Sequence, residues 1–76
     1  MVRVNKNITL KGGVRIKIAE IRKAQGISQE RLAALSGVHR VTIARLETGK
    51  TVPKLPTLKR LAVALGVTLD ELTEGA

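Results

Sequence analysis

Residues 26–50 read GISQERLAALSGVHRVTIARLETGK, and their spacing decides the fold. Gly26 stands where a left-handed residue closes one helix. Ser28 can cap the next helix through its hydroxyl. Leu32, Leu35 and Ser36 fall on the inner face of that second helix, and Gly37 stops it. A third helix runs from about His39 to Glu47, with His39, Ile43 and Leu46 inward, and Gly49 ends it. Ala33 lies four residues after Gln29, Gly37 four after Ala33, and Ile43 six after Gly37. A small side chain at 33 lets the two helices cross closely. A glycine at 37 supplies positive φ at the turn, and Ile43 locks the third helix back onto the second. Two short helices joined in this way form the core of a helix-turn-helix.

Working outward, the same punctuation repeats. Upstream, Val14, Ile18 and Ile21 follow an i, i+4, i+7 stripe that predicts a first helix from Val14 onward. Downstream, a loop holding Pro53 and Pro56 enters a fourth helix, whose Leu58, Leu61, Ala62 and Leu65 form a buried stripe closed by Gly66. Thr68 and Glu71 have the spacing of a capping box for a short fifth helix. An apolar residue before the cap can staple to one at the fourth helical position, and Ile27–Leu32, Val38–Ile43 and Val67–Leu72 all have that spacing. No strand alternation shows after residue 13. The expected fold is all-α, a bundle of five helices spanning 14–74 with the helix-turn-helix at 28–47.

Residues 1–13 form a basic arm in which Val2, Val4, Ile8 and Leu10 alternate with polar residues around Asn5-Lys6-Asn7. A short strand or hairpin, an unstructured tail and an arm that touches DNA are all open readings. Gly12 and Gly13 provide a joint.

Composition narrows the function. The 76-residue chain carries 14 Lys and Arg against 6 Asp and Glu, a net charge of +8. The excess sits in the first two-thirds, while residues 57–76 hold two basic and three acidic side chains. A polyanion is the partner such asymmetry suits. No cysteine and no aromatic residue is present, and histidine occurs once. That inventory removes a disulfide framework, a Cys or His metal cluster and the stacking platforms of single-strand binders. Neither Ser28 nor Ser36 has a plausible base, and Asp70 and Glu71 suit a helix start, so no enzyme, no cofactor and no small-molecule ligand is expected. No apolar run approaches the roughly 20 residues of a membrane helix, and a cytoplasmic protein is expected.

The string at 26–50, followed by VPKLPTLKRLAVALGVTLDEL, resembles the lambda-repressor-like, Cro-family (XRE-type) helix-turn-helix domain over about residues 14–73. The resemblance implies sequence-specific binding of double-stranded DNA, with the third helix in the major groove and the protein as a homodimer. It also implies that Gln29 anchors a phosphate and that Arg22 pairs with Glu47 to hold the third helix at its angle. Val67, Leu69 and Leu72 exceed what a one-turn helix needs for its own core. Either they form a two-fold contact, as the resemblance implies, or they simply pack inward.

The third helix carries its own signal. At about 100° per residue, Val41, Ala44, Arg45 and Thr48 lie opposite His39, Ile43 and Leu46, with Arg40 at the flank. This face is small and cationic and holds no acid. Arg40 and Arg45 can each pair with guanine O6 and N7, and Val41 can meet a thymine methyl, so Arg40, Val41, Ala44 and Arg45 are the expected base contacts. Gln29, His39, Thr42 and Lys50 are the expected phosphate contacts. Arg22, Glu47, Ala33, Gly37 and Ile43 support the reading helix.

Two residues depart from the family pattern. His39 replaces a small polar cap, and a core position, a phosphate contact or a base contact is open to it. Lys54 replaces the cap of the fourth helix, where Pro56 compensates in part.

The expected function is a transcriptional regulator, most simply a repressor, acting as a dimer on a pseudo-palindromic operator. A phage repressor, a restriction–modification controller or an antitoxin with a toxin partner all fit. The competing reading is a protein-interaction or bridging module of the same fold that binds nucleic acid without selectivity.

Overall fold

Why the helices start and stop where they do is visible at their ends. The computed structural model describes residues 15–74, so the arm expected at 1–13 lies outside the described residues. The order is β1 (Arg15–Ile16), α1 (Ile18–Ala24), α2 (Gln29–Ser36), α3 (Arg40–Glu47), α4 (Leu55–Leu65), α5 (Leu69–Leu72) and β2 (Thr73–Glu74). The Ser28 hydroxyl accepts from the Arg31 backbone N–H at 2.9 Å and opens α2. The capping box of α5 is complete, with Thr68 N donating to Glu71 Oε1 at 2.8 Å and Glu71 N donating to Thr68 Oγ1 at 3.0 Å. Gly37 ends α2 at φ 74°. A Cβ there would meet nothing within 4 Å, so conformation rather than space selects glycine.

One core unites the helices. Ile18, Leu32, Ile43, Leu46, Leu61 and Leu72 are its largest fully buried side chains. Each contributes about 2 kcal/mol by leaving water. All six staple residues belong to this cluster or pack against it. α2 lies against both α3 and α4, and α1 bridges the same two helices.

Four expectations need correction. The first helix, expected from Val14 onward, begins only at Ile18, because Arg15 and Ile16 pair antiparallel with Glu74 and Thr73. Lys17 N extends this ladder to Leu72 O at 2.8 Å. Two residues per strand are too few to show alternation, and their partners lie at the far end of the chain.

Leu35 is not an inner residue but is 48% exposed. It sits roughly 100° around α2 from Ser36, the middle of the packed stripe, so it faces out. His39 is exposed too. Its backbone, at φ −59° and ψ 139°, is still extended, so helical spacing does not govern where its ring goes. Finally, Leu72 is buried to 0% exposure within one copy of the chain, so it has no surface to offer a two-fold contact.

Candidate nucleic-acid interface

α3 has two opposite faces. Ile43 and Leu46 are buried on the inner one. On the outer one Val41 is 44% exposed, Arg40, Arg45 and Thr48 are exposed, and Ala44 is half-buried. Thr42 is half-buried at the edge and Lys50 is exposed beyond the helix end. The outer face thus combines two long cationic donors with short side chains, and no carboxylate stands among them.

Both ends of α3 are fixed by local bonds. His39 Nδ1 accepts from the Val41 backbone N–H at 3.1 Å, so the imidazole performs the capping role that serine or threonine would. In the neutral ring this leaves the proton on Nε2, a donor free of the cap. At the other end Lys50 N donates to Arg45 O at 2.8 Å and Gly49 N to Leu46 O at 3.3 Å, wrapping the chain back over the last turn. Gly49 accommodates this with φ 73°. Thr48 Oγ1 donates to Ala44 O at 3.0 Å, which turns its hydroxyl back onto its own helix.

The turn between α2 and α3 is equally constrained. Gly37 N donates to Ala33 O at 2.9 Å, and Val38 N donates to Ser36 Oγ at 3.1 Å. Ala33 packs against the core beside this turn.

The angle of α3 is tied to the rest of the molecule by a charged network. Arg22 Nε donates to Glu47 Oε2 at 2.7 Å and Arg22 Nη2 to Glu47 Oε1 at 3.1 Å. Arg22 Nη1 donates to Ile27 O at 2.9 Å. The two side chains are only 11% and 7% exposed, so this pair is shielded from the screening that weakens surface ion pairs. Gln29 Nε2 adds a 2.8 Å bond to Glu47 Oε1. α1, α2 and α3 therefore converge on one carboxylate. Burial by itself would raise the Glu47 pKa. The Arg22 and Gln29 hydrogen bonds and the Arg22 and Lys23 charges outweigh it, and the carboxyl is held below its usual range. The bond to Glu47 likewise holds the Arg22 guanidinium above its already high value, against the cost of burial.

Of the residues expected to matter, Arg22, Glu47 and Gln29 are brought into direct contact. Arg40, Val41, Ala44 and Arg45 share the outer part of α3. Spacing did not reveal the Gln29–Glu47 bond, because eighteen residues separate the partners. Nor did it single out Lys23, whose charge acts on Glu47. Among the described residues no cluster of His, Cys, Asp or Glu could hold a metal ion, and no helix is long and apolar enough to cross a membrane.

A helix-turn-helix family matches residues 18–72, which takes in all five helices. The chain belongs to the XRE-type helix-turn-helix family. Relatives of this family member carry the names of transcriptional regulators rather than enzymes. One is an uncharacterized HTH-type transcriptional regulator of Haemophilus influenzae, 52% identical over 64% of this chain and 50% of its own length. Another is the HTH-type transcriptional activator BcrR of Enterococcus faecalis, 36% identical over 78% of this chain and 29% of its own length. The chain thus spans half or less of the length of these two curated relatives. Among solved structures, the restriction-modification controller protein C.AhdI from Aeromonas hydrophila superposes with a TM-score of 0.72. It is 39% identical, and the match covers 74% of this chain and 85% of that one. The fold is therefore the DNA-binding helix-turn-helix fold, with α2 and α3 as its helix pair.

Proposed function

We propose that the chain is a cytoplasmic, sequence-specific DNA-binding regulator of transcription that reads the major groove with α3. The observation that carries this reading is the outer face of α3: exposed Arg40 and Arg45 among short side chains, with no acid. A groove surface needs close approach from short residues and a few long donors for base edges. Arg40 and Arg45 contact guanine, Val41 and Ala44 pack against base edges, and Gln29, His39, Thr42 and Lys50 hold phosphates. Arg22, Glu47, Ala33, Gly37 and Ile43 keep α3 at its angle. Residues 14–74 are the DNA-binding domain, and residues 1–13 are a basic arm.

The protein acts as a homodimer on a pseudo-palindromic site, with half-sites about 34–36 Å apart. Val67 and Leu69 contribute from their half-buried surfaces. Leu55 and Val63, at 54% and 81% exposure, add exposed apolar surface on α4. Charge supports association at this end, since residues 57–76 are nearly neutral. Bound across a promoter, such a dimer excludes polymerase and represses.

Selection from a random duplex pool tests the reading. A winning duplex is then titrated against a scrambled one at two salt concentrations. A two-fold motif bound far more tightly than the scramble is the expected result. Equal binding of both duplexes that collapses with added salt would reduce the role to electrostatics and return the search to a protein partner.

A further inference from the structure

We infer that Glu47 is a positioning residue for DNA binding, acting through the carboxamide of Gln29 and not only through the angle of α3. The inference rests on the DNA-binding reading above. Glu47 Oε1 accepts from Gln29 Nε2 at 2.8 Å. A primary carboxamide has a donor end and an acceptor end, and a phosphate accepts only. A free glutamine at the first turn of α2 would offer either end. Beside an ionised Glu47 only one orientation is allowed, because the flipped amide would set carbonyl oxygen against carboxylate oxygen. The bond uses one of the two Nε2 hydrogens and leaves the second for another acceptor. Gln29 is half-buried, so its amide still reaches the surface.

The charge of Glu47 does not defeat this role. A bare carboxylate at that position would repel a phosphate. Arg22 neutralises it through two hydrogen bonds, and the Lys23 charge acts in the same direction. Glu47 therefore supplies orientation without net negative charge. Holding a three-torsion side chain in its bound orientation beforehand removes an ordering cost from association.

The test is a double-mutant cycle on the full chain, read as Kd for the selected duplex, with folding checked by circular dichroism. Gln29→Ala is expected to weaken binding about 5-fold, the worth of one hydrogen bond. Glu47→Gln is expected to weaken it at least as much. Together they should be no weaker than Glu47→Gln alone, while Glu47→Gln with Lys50→Ala should multiply. Full multiplication of the Gln29 and Glu47 effects would overturn the inference, as would a Gln29→Ala variant that binds like the parent. If Glu47→Gln does not fold, side-chain NMR of the parent chain decides. Gln25 and Gln29 are its two glutamines, and Gln25, bonded to Leu65 O at 2.7 Å, is the reference. A Gln29 amide as ordered as that of Gln25 before DNA is added, and still ordered after, supports the inference. A Gln29 amide that orders only on binding refutes it. A parent chain that selects no duplex sinks the DNA-binding reading first and this one with it.

Discussion

Replacing Arg22 with methionine tests the charged network with a change whose size depends on pH. Methionine keeps much of the aliphatic stem in place. It removes both hydrogen bonds to Glu47 and the bond to Ile27 O. Glu47, 7% exposed, is then left with Gln29 as its hydrogen-bond donor. Stripping one partner from a buried pair costs about 3 kcal/mol at neutral pH, the lower end of the range for such pairs. A domain of this length has a total stability of roughly 4–11 kcal/mol, so the loss is severe. It corresponds to a fall in Tm of roughly 12–24 °C.

The pH dependence identifies the cause. In the parent the Glu47 carboxyl is held below its usual range. Its stabilising contribution is complete above the ordinary carboxylate pKa of about 4.3 and is lost as pH falls through the lower, folded value. In the variant the Arg22 bonds and charge are gone while burial still raises the pKa. The penalty then exists only while Glu47 is ionised, and protonation relieves it. The gap in stability between parent and variant should therefore narrow as pH falls from 7 to 4. With no aromatic residue in the chain, unfolding is followed by far-ultraviolet circular dichroism. A Tm loss under about 4 °C, or a gap that stays constant over that pH range, would refute the account of a buried, coupled pair.

The other predictions concern the reading face, the turn and the dimer. Arg45→Ala should cost about 1–3 kcal/mol at one guanine position and relax selectivity there, whereas Lys50→Ala should weaken all duplexes alike and lower the salt slope by about one. Equal effects on matched and mismatched duplexes for Arg45→Ala would show that it touches no base. Gly37→Ala meets no steric obstacle but forces a side chain into left-handed backbone, so stability should fall by about 1–2 kcal/mol in urea unfolding; an unchanged midpoint would contradict this. Val63→Glu, on an 81% exposed residue, should leave stability within about 0.5 kcal/mol yet weaken self-association in sedimentation. A variant that dimerises like the parent would remove α4 from the contact.

Local patterns carried most of the architecture. Ser28 and the Thr68–Glu71 box act through neighbours three residues away, and Gly26, Gly37, Gly49 and Gly66 take up positive φ where the helices end. Such contacts lie within one turn, so spacing alone reveals them. The two faces of α3 were legible for the same reason. His39 escaped because its cap bond needs an extended backbone that a wheel cannot represent. Leu35 escaped because α2 is eight residues long, and which flank of so short a stripe is covered depends on the helices packed against it.

The sequence by itself therefore determined five helices, their ends apart from the start of the first, and a cationic outer face on the third. Tertiary structure alone decided what joins distant parts of the chain. It paired Arg15–Ile16 with Thr73–Glu74, decided that Leu72 packs inward and brought Gln29 onto the carboxylate of Glu47, whose pairing with Arg22 the family resemblance had already implied. Those arrangements depend on how helices pack. Packing is set by the summed burial of the whole core, which no single window of sequence contains.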